Sequence, residues 1–203
     1  HKLSVVLDPE RHHVDVEDSI TLPPELCCAG AEFTLNSALT IRASDPPVEK
    51  RESDEDAVAR YALSSVPPDG QVQISYAGVV DYGLSDEKEQ YTRGFRDTRG
   101  VLGPEGVYLF GESDWVADFG GGLINFDVTV EEPANWHVIS QGSGTSRGDD
   151  GRARWKTDGS VEQVYLVGGP LLVERDTAGA VEVLVYLHER DDALSRKYLE
   201  ATS

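Results

Sequence analysis

Five histidines, two cysteines and 37 carboxylates are the residues from which this chain could build a reactive centre. A zinc site that performs chemistry needs three protein ligands, commonly two histidines one helical turn apart plus a carboxylate. The histidines are His1, His12, His13, His137 and His188. His188-Glu189 opens like a His-Glu-x-x-His motif, but Asp191 and Asp192 follow where the second histidine belongs. His188 also closes a stretch with the period of a strand, so the helical spacing that gives the motif its meaning is missing. His12 and His13 are neighbours; on a strand they point to opposite faces and cannot chelate together. Both are expected at the surface, and His1 is expected to be a leftover of how the chain was produced.

Nucleophiles and phosphate loops are equally sparse. Gly142-Ser143-Gly144 lacks the outer spacing of a Gly-x-Ser-x-Gly elbow and sits between strand-like runs, not at a strand-helix turn. Cys27 and Cys28 have no basic neighbour to lower a thiol pKa. Their Cα atoms, about 3.8 Å apart in sequence neighbours, are closer than the roughly 4.4–6.8 Å that disulfides prefer. Buried or free thiols are expected. Gly120-Gly121-Gly122 has the composition of a phosphate loop without the Lys, Ser/Thr or helix that must follow, and reads as a flexible connection.

One stretch stands out: Gly106-Val107-Tyr108-Leu109-Phe110-Gly111-Glu112-Ser113-Asp114-Trp115-Val116-Ala117-Asp118-Phe119. It leaves a strand and enters a loop bearing carboxylates and aromatics. Such a loop can hold a carboxylate at a cleft edge to receive an amine, with Trp115 excluding water. The plainer alternative is that Trp115 and Phe119 plug a core while Glu112 and Asp114 stay solvated.

The elements that must carry this loop have a period of two. Val14–Leu22, Phe33–Leu35, Leu39–Ile41, Gln71–Tyr76, Asn125–Val130, Trp136–Gln141, Arg152–Lys156, Val161–Val167 and Val181–Leu187 alternate apolar and polar residues. Turn signals separate them: Pro67-Pro68-Asp69-Gly70, Gly142-Ser143-Gly144, Asp149-Asp150-Gly151 and Asp158-Gly159. Many short strands at near-regular spacing predict an all-β, antiparallel sandwich. Asp45–Asp56, charged and proline-bearing, reads as a solvated loop. From Asp191 the period changes: Ala193, Leu194, Lys197, Tyr198 and Ala201 predict one amphipathic face of a short C-terminal helix. That helix meets the end of the chain without a capping signal, which suggests that a following domain has been removed.

The chain's 203 residues suit one domain with a real core, and the formal net charge of −19 repels phosphate backbones and anionic lipid faces. Nucleic-acid and membrane-surface partners are therefore not expected. No apolar run approaches the roughly 18–20 residues of a transmembrane span, and none looks like a signal peptide. A soluble protein is expected, exported or periplasmic on one reading and cytoplasmic on the other. The absence of methionine means that His1 is not a translation start.

An ordered set of motifs carries a resemblance. It runs from His1-Lys2-Leu3-Ser4-Val5-Val6-Leu7-Asp8-Pro9-Glu10 through Ser19-Ile20-Thr21-Leu22 to Val72-Gln73-Ile74-Ser75-Tyr76-Ala77-Gly78. It continues in Gly106-Val107-Tyr108-Leu109, Asn125–Val130, Trp136–Gly142 and Gln163-Val164-Tyr165-Leu166-Val167-Gly168-Gly169, and ends with Asp192–Thr202. In order and spacing these resemble the N-terminal domain of the zinc aminopeptidases of the gluzincin family, the relatives of alanyl aminopeptidase. The resemblance implies a saddle-like β-sandwich at 1–190, with 191–203 beginning the helix that leads to a missing catalytic domain. It implies no cofactor in this fragment and zinc in the parent's catalytic domain, since the Gly-x-Met-Glu-Asn and zinc motifs are absent here. The implied partners are that catalytic domain and a peptide substrate.

In many members a Gln-x-Glu element after the Gly-Leu-Tyr-like strand grips the substrate's free amino terminus. Its nearest position here is Glu112, with Phe110 standing where the Gln would be, and the family's Phe-Pro-x-x-Asp-Glu-Pro segment is replaced by the shorter Trp115–Gly122. Glu112, Ser113 and Asp114 are thereby the candidate substrate-binding residues. The expected function is that of a non-catalytic domain that shapes the substrate cleft and docks the catalytic domain. Two alternatives stand beside it. One is a free-standing adhesion or binding sandwich with Trp115, Trp136 and Trp155 as sugar-stacking faces; the other is a parent whose catalytic domain has lost its zinc ligands and serves as a scaffold.

Overall fold

The computed structural model describes residues 1–26, 30–83, 98–120 and 122–202. Cys27, Cys28 and Gly121 lie outside them. The first strands are β1 (Lys2–Asp8), β2 (His13–Thr21), β3 (Glu32–Asn36), β4 (Leu39–Asp45), β5 (Val48–Arg51), β6 (Val58–Leu63), β7 (Gln71–Val79) and β8 (Val101–Gly103). They are followed by β9 (Gly106–Leu109), β10 (Asp127–Glu131), β11 (His137–Ile139), β12 (Ser143–Thr145), β13 (Arg152–Lys156), β14 (Leu166–Gly169), β15 (Leu172–Ala178) and β16 (Val181–Leu187). The helix α1 spans Asp192–Thr202.

A seven-stranded sheet runs β12-β13-β10-β1-β2-β7-β4, beside a four-stranded sheet β11-β14-β9-β8 and a three-stranded sheet β3-β6-β5. The β15-β16 hairpin forms a sheet of its own. Alternation turns one face of each main sheet inward. Leu3, Val5 and Leu7 of β1 join Val14, Val16 and Ile20 of β2, and Val72, Ile74 and Tyr76 of β7. From the four-stranded sheet Leu102, Val107, Leu109, Val138 and Leu166 meet them. Each such side chain contributes about 1.5–3 kcal/mol by leaving water. Gly78 is required where β4 turns onto β7, because a Cβ there would stand 2.0 Å from the Ala38 carbonyl oxygen.

The all-β sandwich with a C-terminal helix is as expected, and the pairing of β1 with β10 adds a parallel contact to otherwise antiparallel sheets. Such a pair needs a long crossover, and local alternation carries no trace of it. Four other expectations change. Within the supposed loop Asp45–Asp56, Val48–Arg51 is a strand at the edge of the three-stranded sheet, its exposed Glu49, Lys50 and Arg51 being what an edge tolerates. Only Leu166 onward of the Val161–Val167 run is a strand; Val161 makes an isolated bridge to Ile124. Gly142-Ser143-Gly144 is a turn only in part, since Ser143 and Gly144 begin β12. On α1, Ala193, Lys197, Tyr198 and Ala201 are exposed, while Leu194, Ser195 and Leu199 form the covered stripe.

Two histidines also depart from expectation. His1 is built into the sandwich: its Nδ1 stands 2.8 Å from an oxygen of Asp18, a carboxylate at an inward position of β2. Its backbone carbonyl accepts from the amide of Asp127 at 2.9 Å. His12 is not on a strand but in the left-handed region (φ 53°), closing a 3-10 turn over Pro9–Arg11, with its Nδ1 2.6 Å from the Leu102 carbonyl oxygen.

Candidate functional site

The loop after β9 is held from both ends and from below. Phe110 is extended, Gly111–Ser113 form a 3-10 turn, and Asp114 (φ 48°) ends it in the left-handed region that Asp tolerates better than most residues. Trp115 then drops into the core at 1% exposure, its indole N–H donating to the Val164 carbonyl at 2.9 Å. Asp118 and Thr34 exchange backbone hydrogen bonds at 2.8 and 3.0 Å, so the descending arm runs beside β3. Phe119 lies 5.0 Å from the ring of Phe33. Trp115 is therefore the plug that the plainer reading of this segment describes.

Asn36, at the end of β3, is the clamp. Its amide nitrogen donates to the Ser113 carbonyl at 2.6 Å, and its backbone N–H donates to the Asp114 carbonyl at 2.7 Å. Its side-chain oxygen accepts from the Ala38 amide at 2.9 Å and from the Tyr82 hydroxyl at 2.5 Å. A buried side chain that uses donor and acceptor ends together fixes its partners closely. Alternation at Phe33–Leu35 and Leu39–Ile41 gave Asn36 no role between them; an Asn at the inward end of an alternating strand was the available signal.

The three candidate residues separate by role. Ser113 is fully buried, and its hydroxyl accepts from the Phe110 amide at 3.1 Å, closing the turn. Glu112 is exposed. Asp114 is partly exposed, and its carboxylate lies 3.9 Å from an Arg99 guanidinium nitrogen. Burial raises the Asp114 pKa above the ordinary carboxylate value; Arg99 opposes this, and the charges of Asp118, Glu55 and Glu112 add to it. Among the described residues the charges acting on Asp114 are thus three carboxylates and the Arg99 guanidinium, a field that favours an arriving cation. Beyond it, Asp118, Gly122, Leu123 and Glu162 line an open cleft of about 330 Å³.

Among the described residues no group of three or more His, Cys, Asp or Glu side chains could hold a metal ion. His188 follows the end of β16, and α1 begins only at Asp192, so the zinc-like pair is not on a helix. No described helix is long and apolar enough to cross a membrane. Trp115, Trp136 and Trp155 are 1%, 5% and 9% exposed, which withdraws them as sugar-stacking faces. The indoles of Trp115 and Trp155 are spent on the carbonyls of Val164 and Val138.

No sequence-family model matches the chain, and no curated protein sequence does. Solved structures do. An aminopeptidase N family protein from Idiomarina loihiensis aligns over 98% of this chain and 34% of its own, at 15% identity and a TM-score of 0.59. An M1 zinc metallopeptidase variant from Deinococcus radiodurans, bound to a Tyr-Ser-Ala substrate, aligns over 95% of this chain and 47% of its own, at 16% identity and a TM-score of 0.58. Leukotriene A4 hydrolase from Saccharomyces cerevisiae aligns over 90% and 30%, at 14% identity and a TM-score of 0.56. The chain thus has an all-β fold that these proteins contain as a part. It is similar over nearly its whole length to a segment of each of these three chains, and spans less than half of the length of each.

Proposed function

We propose that this chain is the N-terminal, non-catalytic domain of a zinc-dependent aminopeptidase, a hydrolase that removes N-terminal amino acids from peptides. The observation that carries this reading is the alignment of 98% of the chain on part of an aminopeptidase N family protein. The ordered motifs from Lys2 to Gly169 point the same way independently. Zinc and its general base belong to the remainder of such an enzyme, where a metal-polarised water would supply the attack.

The contribution of this domain is to the substrate's end. Glu112 and Asp114 receive the peptide's free ammonium at the cleft edge, while Ser113 and Asn36 hold the loop in place. A peptide with a blocked terminus offers no cation to this acidic field and is disfavoured. In the isolated chain the exposed Glu112 is hydrated and its pairing is weak; closure by a second protein surface is what gives the carboxylates discriminating power. The test is to assay the 203-residue chain on aminoacyl-anilides with added zinc. No turnover is expected, and turnover that co-purifies with the chain through stringent steps would overturn the reading.

A further inference from the structure

The turn after β1, the turn between β8 and β9 and the loop after β10 enclose a cavity of about 370 Å³. That is near the small end of ligand-binding cavities (roughly 300–1,000 Å³). Each segment gives it one proline, Pro9, Pro104 and Pro133, and Trp136 stands beside them. Pro104 precedes β9 whereas the loop of Glu112 follows it, so the cavity lies at the other end of that strand. Its walls are fixed from behind. His12 Nδ1, 2.6 Å from the Leu102 carbonyl oxygen, ties the Pro9–Arg11 turn to β8. The Arg147 guanidinium donates to the carbonyls of Pro133 and Trp136 at 3.1 Å each and to Glu132 at 3.0 Å, which holds the loop after β10. A pocket held in this way loses little freedom when it binds.

The polar groups of the lining are of two kinds. Trp136, at 5% exposure, offers little ring surface, but its indole N–H has no acceptor among the described residues, whereas those of Trp115 and Trp155 are bonded. Asp8 and Glu10 also line the cavity, and neither carboxylate meets a cation or a donor among the described residues. Glu105, next to Pro104, is a further exposed carboxylate. The carbonyls of Pro9, Pro133 and Trp136 are already engaged by the His12 amide, by the Trp136 amide with Arg147, and by Arg147. A ligand that suits this lining brings an acceptor for one N–H, apolar bulk for the prolines, positive charge for the carboxylates and few N–H groups of its own. A peptide in the polyproline II form meets these needs. Its rings are apolar, its X–Pro amides carry no N–H, and its carbonyls make no internal hydrogen bonds. Arginines or lysines between the prolines supply the charge.

The proline pairs of this chain itself do not fit. Pro23-Pro24, Pro46-Pro47 and Pro67-Pro68 each stand directly beside an acid, Glu25, Asp45 and Asp69, which the carboxylates of the cavity repel. We propose that the cavity is a docking site for a polyproline II segment of another protein, in which arginines or lysines flank the prolines. A proline ring packs against Pro9, Pro104 and Pro133, the Trp136 indole donates to a peptide carbonyl, and Asp8 and Glu10 take the flanking cation. The site uses nothing from the Glu112 loop and stands whether or not the aminopeptidase reading does.

The test is fluorescence anisotropy of the 203-residue chain with a fluorescein-labelled, end-blocked peptide of two Arg-Pro-Pro repeats. Control peptides carry two Glu-Pro-Pro or two Arg-Ala-Ala repeats. The Arg-Pro-Pro peptide is expected to bind about tenfold or more tightly than either. Trp136→Phe, which keeps a ring and removes the donor, is expected to weaken binding by about threefold to tenfold. Asp8→Asn/Glu10→Gln is expected to weaken it by about fivefold or more and to flatten its dependence on NaCl between about 0.05 and 0.5 M. Glu189→Gln/Glu200→Gln removes the same charge from two exposed positions elsewhere and is expected to leave Kd within about twofold. Circular dichroism and Tm establish that each variant is folded; where Trp136→Phe is not, the carboxylate variants decide. No binding by the wild type overturns the proposal. Equal binding of the Arg-Ala-Ala peptide, or an equal loss from the two carboxylate variants, also overturns it, because net charge alone then attracts the peptide. Equal binding of the Glu-Pro-Pro peptide does so by removing the role of Asp8 and Glu10. A dimer in sedimentation that the Arg-Pro-Pro peptide disperses overturns it too, a second copy then being the occupant.

Discussion

The sandwich and the hairpin–helix unit that follows it are built on different terms. In the sandwich one continuous cluster joins residues from Leu3 to Leu166, many of them at 0–2% exposure. Among the described side chains of residues 172–202, Val183 and Val185 are the buried apolar ones, at 8% and 9%, and neither belongs to that cluster. The helix α1 packs against this hairpin, and the interface leaves the Ser195 and Tyr186 hydroxyls buried without a partner. Burial sets local as well as global stability. The sandwich thus carries its own folding free energy, whereas the hairpin and helix are a lightly fastened appendage. The candidate loop lies on the strongly held side, where a binding geometry can be kept.

The sharpest way to break this comparison is to remove one large buried side chain from each region. Trp115→Ala empties the plug under the candidate loop and orphans the Val164 carbonyl, and is expected to cost about 3–5 kcal/mol in urea unfolding. Val185→Ala removes less surface from a site outside the main core cluster and is expected to cost about 1 kcal/mol, read as faster amide exchange confined to 172–202. Equal global losses would show that the two regions unfold as one unit.

Next in size is a pH effect that belongs to the sandwich. The Glu132 side chain is fully buried, with one oxygen 3.0 Å from Arg147 and the other without a partner. Burial lifts its pKa from the model-compound 4.5 to about 7, against the pull of Arg147. The native state therefore holds this proton more tightly than the unfolded chain. Stability from Glu132 is fully present below about pH 4.5 and is lost as pH rises through about 7, a difference of roughly 2–4 kcal/mol. Chemical denaturation of wild type and Glu132→Gln between about pH 5 and pH 8 is expected to show this slope in the former and a shallower one in the latter. Parallel slopes would locate the pH dependence elsewhere. Asp18 is also raised, chiefly by burial and against the pull of His1, and acts in the same direction.

A third test separates the loop's anchor from its surface. Asn36→Ala leaves the Ser113 carbonyl without its side-chain donor and the Tyr82 hydroxyl without its acceptor. A loss of about 1–3 kcal/mol is expected, with faster exchange of the amides from Gly111 to Asp114. Glu112→Gln, on the exposed side, is expected to change stability by less than about 0.5 kcal/mol. A larger loss from Glu112→Gln than from Asn36→Ala would reverse the roles assigned to them.

What could be read in the sequence follows the range of each interaction. Clean alternation located β7 and β10, a less regular alternation located β2, β13 and β16, and the change of period located α1, because all of these are local. Pro67–Gly70 was legible as a turn for the same reason; the Gly70 amide bonds the Pro67 carbonyl at 2.9 Å. The parallel pairing of β1 with β10 joins segments more than a hundred residues apart, and no local pattern encodes it. The Asn36 clamp and the His1–Asp18 contact are hidden likewise, each being a polar residue whose partner comes from another strand or loop. β5 was misread because an edge strand is selected for charge, the same signal that marks a loop. Glu112 and Asp114 were visible only as carboxylates beside aromatics; which of the three neighbouring polar residues faces outward depended on a single 3-10 turn.

The smallest expected effect tests the appendage alone. Asp191 caps α1: its carboxylate accepts from the amides of Ala193 and Leu194 at 3.1 and 2.9 Å. Removing such a cap costs about 1 kcal/mol of helix stability. In a helix that belonged to the main core, this loss would appear in global unfolding. In a lightly fastened one it is taken up by the helix, which opens before the sandwich does. Asp191→Ala is therefore expected to speed amide exchange along α1 by about fivefold while leaving the Tm of the sandwich unchanged. A lowered Tm would mean that α1 helps to hold the main core, and that the division between the two regions is drawn in the wrong place.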